Sequence, residues 1–221
     1  MSTSAQNKKV ALVTFYVNKT LNVGKGINPI NVVIGTLAKD PNFDLSGILS
    51  DFHNTFVTDY VKQYPFDLID EKTIIESENY KNIDCVDSAY SHCLTFAGYK
   101  ALDVSGIYKK HLNKLKAAFP DVDGFLFVFM DFEIMAKVAF AGMGTAAINA
   151  RMCMKLWNKN GDRVFNVSDG EFSTGTVPLV SGVPVMTSDK ILPLCREAAQ
   201  ASMKAFKTKL PKLIKKIDSK L

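Results

Sequence analysis

ARMCMKLWNKNGDRVFNVSDGE, residues 150–171, decides how the rest of the chain is read. From Thr145 onward, Ala146, Ile148, Ala150, Met152, Met154 and Leu156 alternate with Asn149, Arg151, Cys153, Lys155 and Trp157. Side chains of a strand point to its two faces in turn, so period two over a dozen residues specifies a strand with one apolar face. Asn158-Lys159-Asn160-Gly161-Asp162 then supplies residues that tolerate the positive φ of a hairpin loop. Arg163-Val164-Phe165-Asn166-Val167-Ser168 returns as the partner strand. The first question is whether this hairpin is an active-site platform, a partner-binding edge or the middle of a sheet.

Working outward, Lys9–Val17 is a β-rich run without a breaker and reads as a central strand, followed by a loop with Gly24, Gly26 and Pro29. Residues 30–38 are apolar and read as a short helix or strand. Asp40-Pro41-Asn42 reads as a helix start, and Leu45, Ile48, Leu49, Phe52, Phe56 and Tyr60 recur at helical spacing up to Tyr64-Pro65. Phe66–Asp70 is a short strand and Glu71–Tyr80 a polar helix. Residues 81–106 lack clean periodicity and read as an insertion over one sheet edge. A helix is expected over Ile107–Phe119, with Leu112, Leu115 and Phe119 inward, and a buried strand over Phe125–Met130. Ala139–Gly144 reads as a flexible connector whose apolar side chains can touch a ligand or partner. A long helix follows from about Ser188 to Leu210, where Pro211 kinks or interrupts it. The order predicts an α/β fold, a two-layer sandwich with a mixed sheet and long helices on one face. Residues 1–8 are expected to be a disordered N-terminus and 9–218 a single domain.

Composition is that of a globular protein, with 47% hydrophobic and 22% charged residues. The net charge of +5 is concentrated at one end: residues 204–221 hold seven lysines against Asp218 alone, leaving the remainder nearly neutral. A solvated helix face explains such a run, and a peripheral contact with anionic lipid or an acidic partner is the sharper reading. Nucleic acid is not expected, because no aromatic stacking pattern accompanies the lysines. Ser2-Thr3-Ser4-Ala5-Gln6 resembles the small-residue tail beside a signal-peptidase cut, with a start Met in place of the leader. That makes an exported, periplasmic location the expectation and a cytoplasmic one the alternative. Four cysteines, Cys85, Cys93, Cys153 and Cys195, do not make a disulfide scaffold, although Cys85 and Cys93 lie close enough to pair.

The run "FVTDYVKQYPFDLIDEKTIIESENY" (56–80), then "GFLFVFMDFEIM" (124–135), the hairpin and the closing helix together resemble a family of bacterial envelope proteins. These are the α/β sandwich domains related to the curli secretion-channel lipoprotein, the N-terminal domain of the Tol-system propeller protein and the penicillin-binding-protein activator lipoproteins. In them a strand ending in an apolar or aromatic pair runs into Asn/Asp-Gly and a returning strand, here Leu156 to Val164. The resemblance spans about residues 8–210. It implies an exported, non-enzymatic accessory or assembly protein with an envelope protein as partner, and it brings no active-site residues. No cysteine stands near the N-terminus to carry a lipid, and residues 81–106 are extra to the family pattern.

Motifs for chemistry are sparse. In Asn22-Val23-Gly24-Lys25-Gly26 the lysine stands between the glycines, where a phosphate loop needs it after the second. Cys85, Asp87, His92 and Cys93 lack the tight paired spacing of a zinc site. His53 and His111 fall near the solvent sides of predicted helices, away from any nucleophile. Neither a metal nor a cofactor is called for. The candidate contacts for a ligand or partner are Asp131, Glu133, Arg151 and Trp157, with the loops at 18–30 and 135–145 or a sheet edge as the surface. A small-ligand protein or an enzyme with its site near Asp131, Glu133 and Arg151 is the alternative function.

Overall fold

In the computed structural model, which describes residues 8–28, 36–85, 92–104 and 109–221, the alternating run is β5 (Met143–Asn158) and its return is β6 (Arg163–Phe172). The six alternating residues from Ala146 to Leu156 are fully buried. Gly161 has φ +95°, and the Asn158 side-chain oxygen accepts the N–H groups of Asn160 (3.0 Å) and Asp162 (2.9 Å), which wraps the turn. The N-terminal tail, Pro29–Gly35, Asp87 and the start of the helix expected at Ile107 lie outside the described residues.

β4 (Gly124–Phe140) runs antiparallel to β5 along its whole length, and β1 (Lys8–Val23) lies parallel to β4. The outer edge of β1 carries β2 (Phe66–Leu68) in parallel and, further along, β3 (Cys93–Thr95) in antiparallel pairing. β5 is shared on its other side: β6 takes Asn149–Trp157 and β7 (Val177–Val180) takes Gly144–Ala146. β8 (Val183–Pro184) closes on β7, completing a mixed sheet of eight strands.

Two strands outrun the sequence reading. β1 does not stop at Val17, because an irregularity absorbs the polar Asn18-Lys19-Thr20: Val17 lies opposite Met130 and Leu21 opposite Phe132. The loop expected from residue 18 therefore begins only after Val23. β4 continues through Asp131, Glu133 and the supposed connector to Phe140, where Ala141 (φ +50°) and Gly142 (φ +78°) form a two-residue turn into β5.

One face of the sheet is covered by the long helices, as expected. α1 (Thr36–Lys39) is a short turn before them. α2 (Ser46–Thr55) runs on through a π-helical turn (Phe56–Tyr60) and a 3-10 turn (Val61–Gln63). It begins six residues later than Asp40-Pro41-Asn42 suggested. Those residues close a turn through the Phe43 N–H to the Asp40 carbonyl (3.0 Å), and Asp44 accepts the Ser46 N–H (2.9 Å) at the true start. α6 (Ser188–Phe206) and α7 (Leu210–Lys220) flank a 3-10 turn, with Pro211 in the first turn of α7, where a missing N–H costs nothing. These helices bury the Leu45–Tyr60 stripe, Ile191, Ala198, Phe206, Leu213 and Ile217 against Leu12, Phe15, Val128, Met152 and their neighbours. None of the helices described is long and apolar enough to cross a membrane.

The second face is half covered. α3 (Glu71–Ile75), α4 (Glu78–Lys81) and α5 (Lys109–Ala118) pack near the Gly124 end, where Ile74, Tyr80, Leu112 and Leu115 meet Ala11, Val13, Phe125 and Phe127. The histidines are not on solvent sides: His111 is fully buried, with Nδ1 2.8 Å from the Asp103 carbonyl, and His53 is mostly covered.

Candidate functional site

Beyond α5, the second face is a shelf built from β1, β4, β5 and β6, and its rows can be read off the strand register. Phe129 pairs with Cys153, Asp131 with Arg151, Glu133 with Asn149. The first row borders the helical layer: Phe129 stacks on Tyr16 (5.1 Å between centroids, planes 9° apart). Above it the Lys155 ammonium lies 5.3 Å from the Phe129 centroid and 3.1 Å from the Asp103 carboxylate.

The second row holds the charge pair. The Arg151 guanidinium is 3.5 Å from the Asp131 carboxylate, with Asp131 only 16% exposed and Arg151 50%. Burial pushes the Asp131 carboxyl above its usual range, against the opposing pull of Arg151, a hydrogen bond from Asn18 and the Lys155 charge. Beside this pair, Cys153 Sγ lies 3.2 Å from Ser168 Oγ, and burial raises its thiol too. A protonated thiol facing a hydroxyl is a weak nucleophile.

Glu133 and Asn149 do not converge on that pair. Their side chains lie flat on neighbouring strands: a Cβ at Gly24 would meet Glu133 Oε1 at 2.8 Å, and one at Gly170 would meet Asn149 Oδ1 at 2.7 Å. Gly24 thus packs closely against the Glu133 and Met135 side chains of β4. Trp157 is elsewhere. Six residues from Arg151 along β5, about 20 Å away, it packs with the α5 cluster. The structure therefore joins Asp131 to Arg151, sets Glu133 in the next row and separates Trp157 from all three.

A cleft of about 550 Å³ is lined by Asp40, Asn42, Met186, Thr187, Ser188, Asp189 and Leu192, away from the shelf. Its central carboxylate is occupied, since Asp40 accepts the Ser188 hydroxyl and the Asn42 N–H. All four thiols are free. Cys93 is pushed up to about 12 by burial, with the nearby Asp131 charge adding to it. One pair escaped the sequence reading: His53 Nε2 lies 2.9 and 3.1 Å from the Glu71 carboxylate oxygens, its ring stacked 3.7 Å from that of Phe96. Eighteen residues separate its members, and no local pattern connects them.

The distal end of the shelf is apolar. Val138 (64% exposed), Phe140 (85%), Met143 (68%) and Val180 (57%) stand out on the turns between β4 and β5 and between β7 and β8. The shelf can thus bind by charge in its middle and by apolar contact at its end.

No family model matches this chain, and no curated protein matches it. Solved structures similar in outline include the following two. A neuraminyllactose-binding hemagglutinin homolog from Helicobacter pylori is 8% identical, with a TM-score of 0.43, covering 99% of this chain and 94% of its own. Lipoprotein GNA1162 from Neisseria meningitidis is 13% identical, with a TM-score of 0.34, covering 76% of this chain and 85% of its own. Likeness at this level carries no site residue over.

Proposed function

We propose that this chain is an exported, non-enzymatic accessory or assembly protein of a bacterial envelope, and that the open half of its sheet face is where a protein partner docks. The carrying observation is the shelf itself, a broad, charged, strand-built surface with Asp131–Arg151 at its centre and no helix above it among the described residues. None of the three clefts formed by described residues is lined by a residue of this surface, whereas a small ligand needs a concave, mostly apolar pocket. Half-exposed Arg151 and exposed Asn166 and Ser168 supply polar rim contacts. The envelope setting rests on the sequence pattern of the hairpin and closing helix.

Photocrosslinking tests this. A photoreactive residue at Ser168 or Asn166 is expected to give one discrete adduct with an envelope protein, and the same residue at exposed Lys190, on α6, none. Equal adduct patterns from shelf and helix would refute the docking face.

A further inference from the structure

Three parts of the chain end together at the far end of the sheet. The turns Ala141-Gly142 and Ser181-Gly182 each hold both residues at positive φ (+50° and +78°; +52° and +77°), the geometry of the tightest hairpins. The Gly182 N–H donates to the Gly142 carbonyl (2.7 Å), locking the two tips side by side. The segment after β1 joins them, with the Ala136 N–H on the Lys25 carbonyl (3.2 Å) and the Asn28 N–H on the Gly182 carbonyl (3.3 Å).

The side chains there form an ordered row. Phe140 and Met143 are register partners, and Val180 follows Leu179, the partner of Gly144, so the three line up on one face across neighbouring strands. With Val138 they expose apolar area on the order of 400 Å², within the size range of the largest patch on a monomer, which is often functional. Residues 136–145 and 177–184 carry one charge, Lys137, and residues 24–28 add Lys25; both lysines are exposed. Of the carboxylates nearby, Glu197, which feels the Lys137 charge, is held by the Thr174 hydroxyl and the Gly175 N–H (3.0 Å), and the Glu133 side chain lies over Gly24.

We propose that the paired tips insert into the headgroup layer of an anionic lipid bilayer. Phe140, Met143, Val138 and Val180 are the apolar anchors, and Lys25 and Lys137 meet the lipid phosphates. A projecting apolar tip with a basic rim is complementary to such a surface. The lysine-rich C-terminus does not share this contact. α7 ends at the opposite end of the sheet, where Lys220 receives the Asn158 amide on its carbonyl. The 17 residues of β4 put roughly 55 Å between the two ends. This inference is independent of the docking face, and a failed crosslink at Ser168 leaves it standing.

The full chain is sedimented with vesicles of phosphatidylcholine alone or mixed with phosphatidylglycerol, at low and high salt. Binding to the mixed vesicles, weakened by salt, is expected. The double variant Phe140→Asp/Met143→Asp should bind on the order of a hundredfold more weakly, and Lys25→Gln and Lys137→Gln about fivefold each at low salt. All four sites are exposed, so melting temperatures should hold; Phe140→Ser repeats the test if the aspartates disturb folding. In Phe140→Trp, brominated lipid should quench the new indole and spare Trp157. Wild-type protein that ignores anionic vesicles, or variants that bind as well as wild type, would overturn the proposal. So would a wild-type dimer without vesicle affinity that Phe140→Asp makes monomeric, which would assign the tips to self-association.

Discussion

Replacing Tyr80 by Phe removes one oxygen atom and tests how the edge of β1 is finished. Along that edge the Val10 carbonyl accepts the Ile69 N–H after β2 ends, and the Phe15 carbonyl accepts the Phe96 N–H beyond β3. Between them the strand bulges, with Leu12 opposite Leu126 and Thr14 opposite Phe127, so Val13 has no strand neighbour there. The Tyr80 hydroxyl fills the gap, donating to the Val13 carbonyl (2.8 Å) and accepting the Lys100 N–H (2.8 Å). Burial holds this hydroxyl well above its usual range, so it remains a donor across the working pH range. Tyr80→Phe keeps the ring and orphans two backbone groups, at least one fully buried. At about 1–3 kcal/mol for each unsatisfied group, the loss should be about 2–6 kcal/mol, or roughly 4–24 °C in melting temperature for a chain of this size.

Urea denaturation is the assay, because an unchanged slope with a lower midpoint isolates stability from compactness. Tyr64→Phe is the matched control. Tyr64 is also buried, but its hydroxyl reaches only the Met154 sulfur at 3.8 Å, and its ring keeps its stack on Phe66 (5.1 Å). A thioether is a weak acceptor, so that loss should remain below about 1 kcal/mol. Equal losses from the two variants, or less than about 1 kcal/mol from Tyr80→Phe, would refute the claim that Tyr80 satisfies the bulge.

Three further outcomes follow from single residues. Gly161→Val should destabilise by at least about 1–2 kcal/mol, because φ is +95°, while a new Cβ itself finds nothing nearer than 3.8 Å; an unchanged melting temperature would contradict the turn. Asp131→Asn should stabilise at neutral pH. A carboxyl raised in the native state is least costly when protonated, so its penalty is absent below its ordinary 3.8, grows as pH rises from there toward the raised value and is complete above it. The variant's advantage should vanish near about pH 3, and a neutral-pH loss would show that the Arg151 attraction outweighs burial. An aromatic disulfide reagent should react first with exposed Cys85 and last with Cys195, which burial raises far above the usual thiol range, and with all four thiols after unfolding without reductant. Only two reactive thiols in the unfolded chain would mean a Cys85–Cys93 bond.

The first face was legible in the sequence because its cover is local and periodic. The alternation in β5 and the helical stripe from Leu45 to Tyr60 each state which side is apolar, and the two sides meet. The second face was not, because its cover comes from far along the chain. Asn149, Arg151, Lys155 and Trp157 read as one outward set, yet Trp157 is walled in by α5. Asp40 shows the same limit. The expected helix start there is a turn, and the Asp40 carboxylate instead accepts the hydroxyl of Ser188 at the start of α6, 148 residues away.

The sequence marks apolar contact residues over 139–144, and parity explains why it does not show the strand and the face that carry them. Counted in strict alternation from Ile134 and Ala136, which face the core side, Val138 and Phe140 would face it too. The register instead skips Lys137, pairing Ala136 with Ala146 and Val138 with Thr145. One extra residue on a strand turns every later side chain to the other face, so Val138 and Phe140 join Met143 on the side that no described helix reaches. The Ala141-Gly142 turn fixes the result, since a two-residue connection leaves Phe140 and Met143 paired and unable to fold back. A longer loop would have let both tuck under β7. The Gly-rich string suggested such a loop, because glycine permits a tight turn and a loose one equally well. What separates them is the Gly182 N–H on the Gly142 carbonyl, a contact between hairpins that neither segment encodes alone.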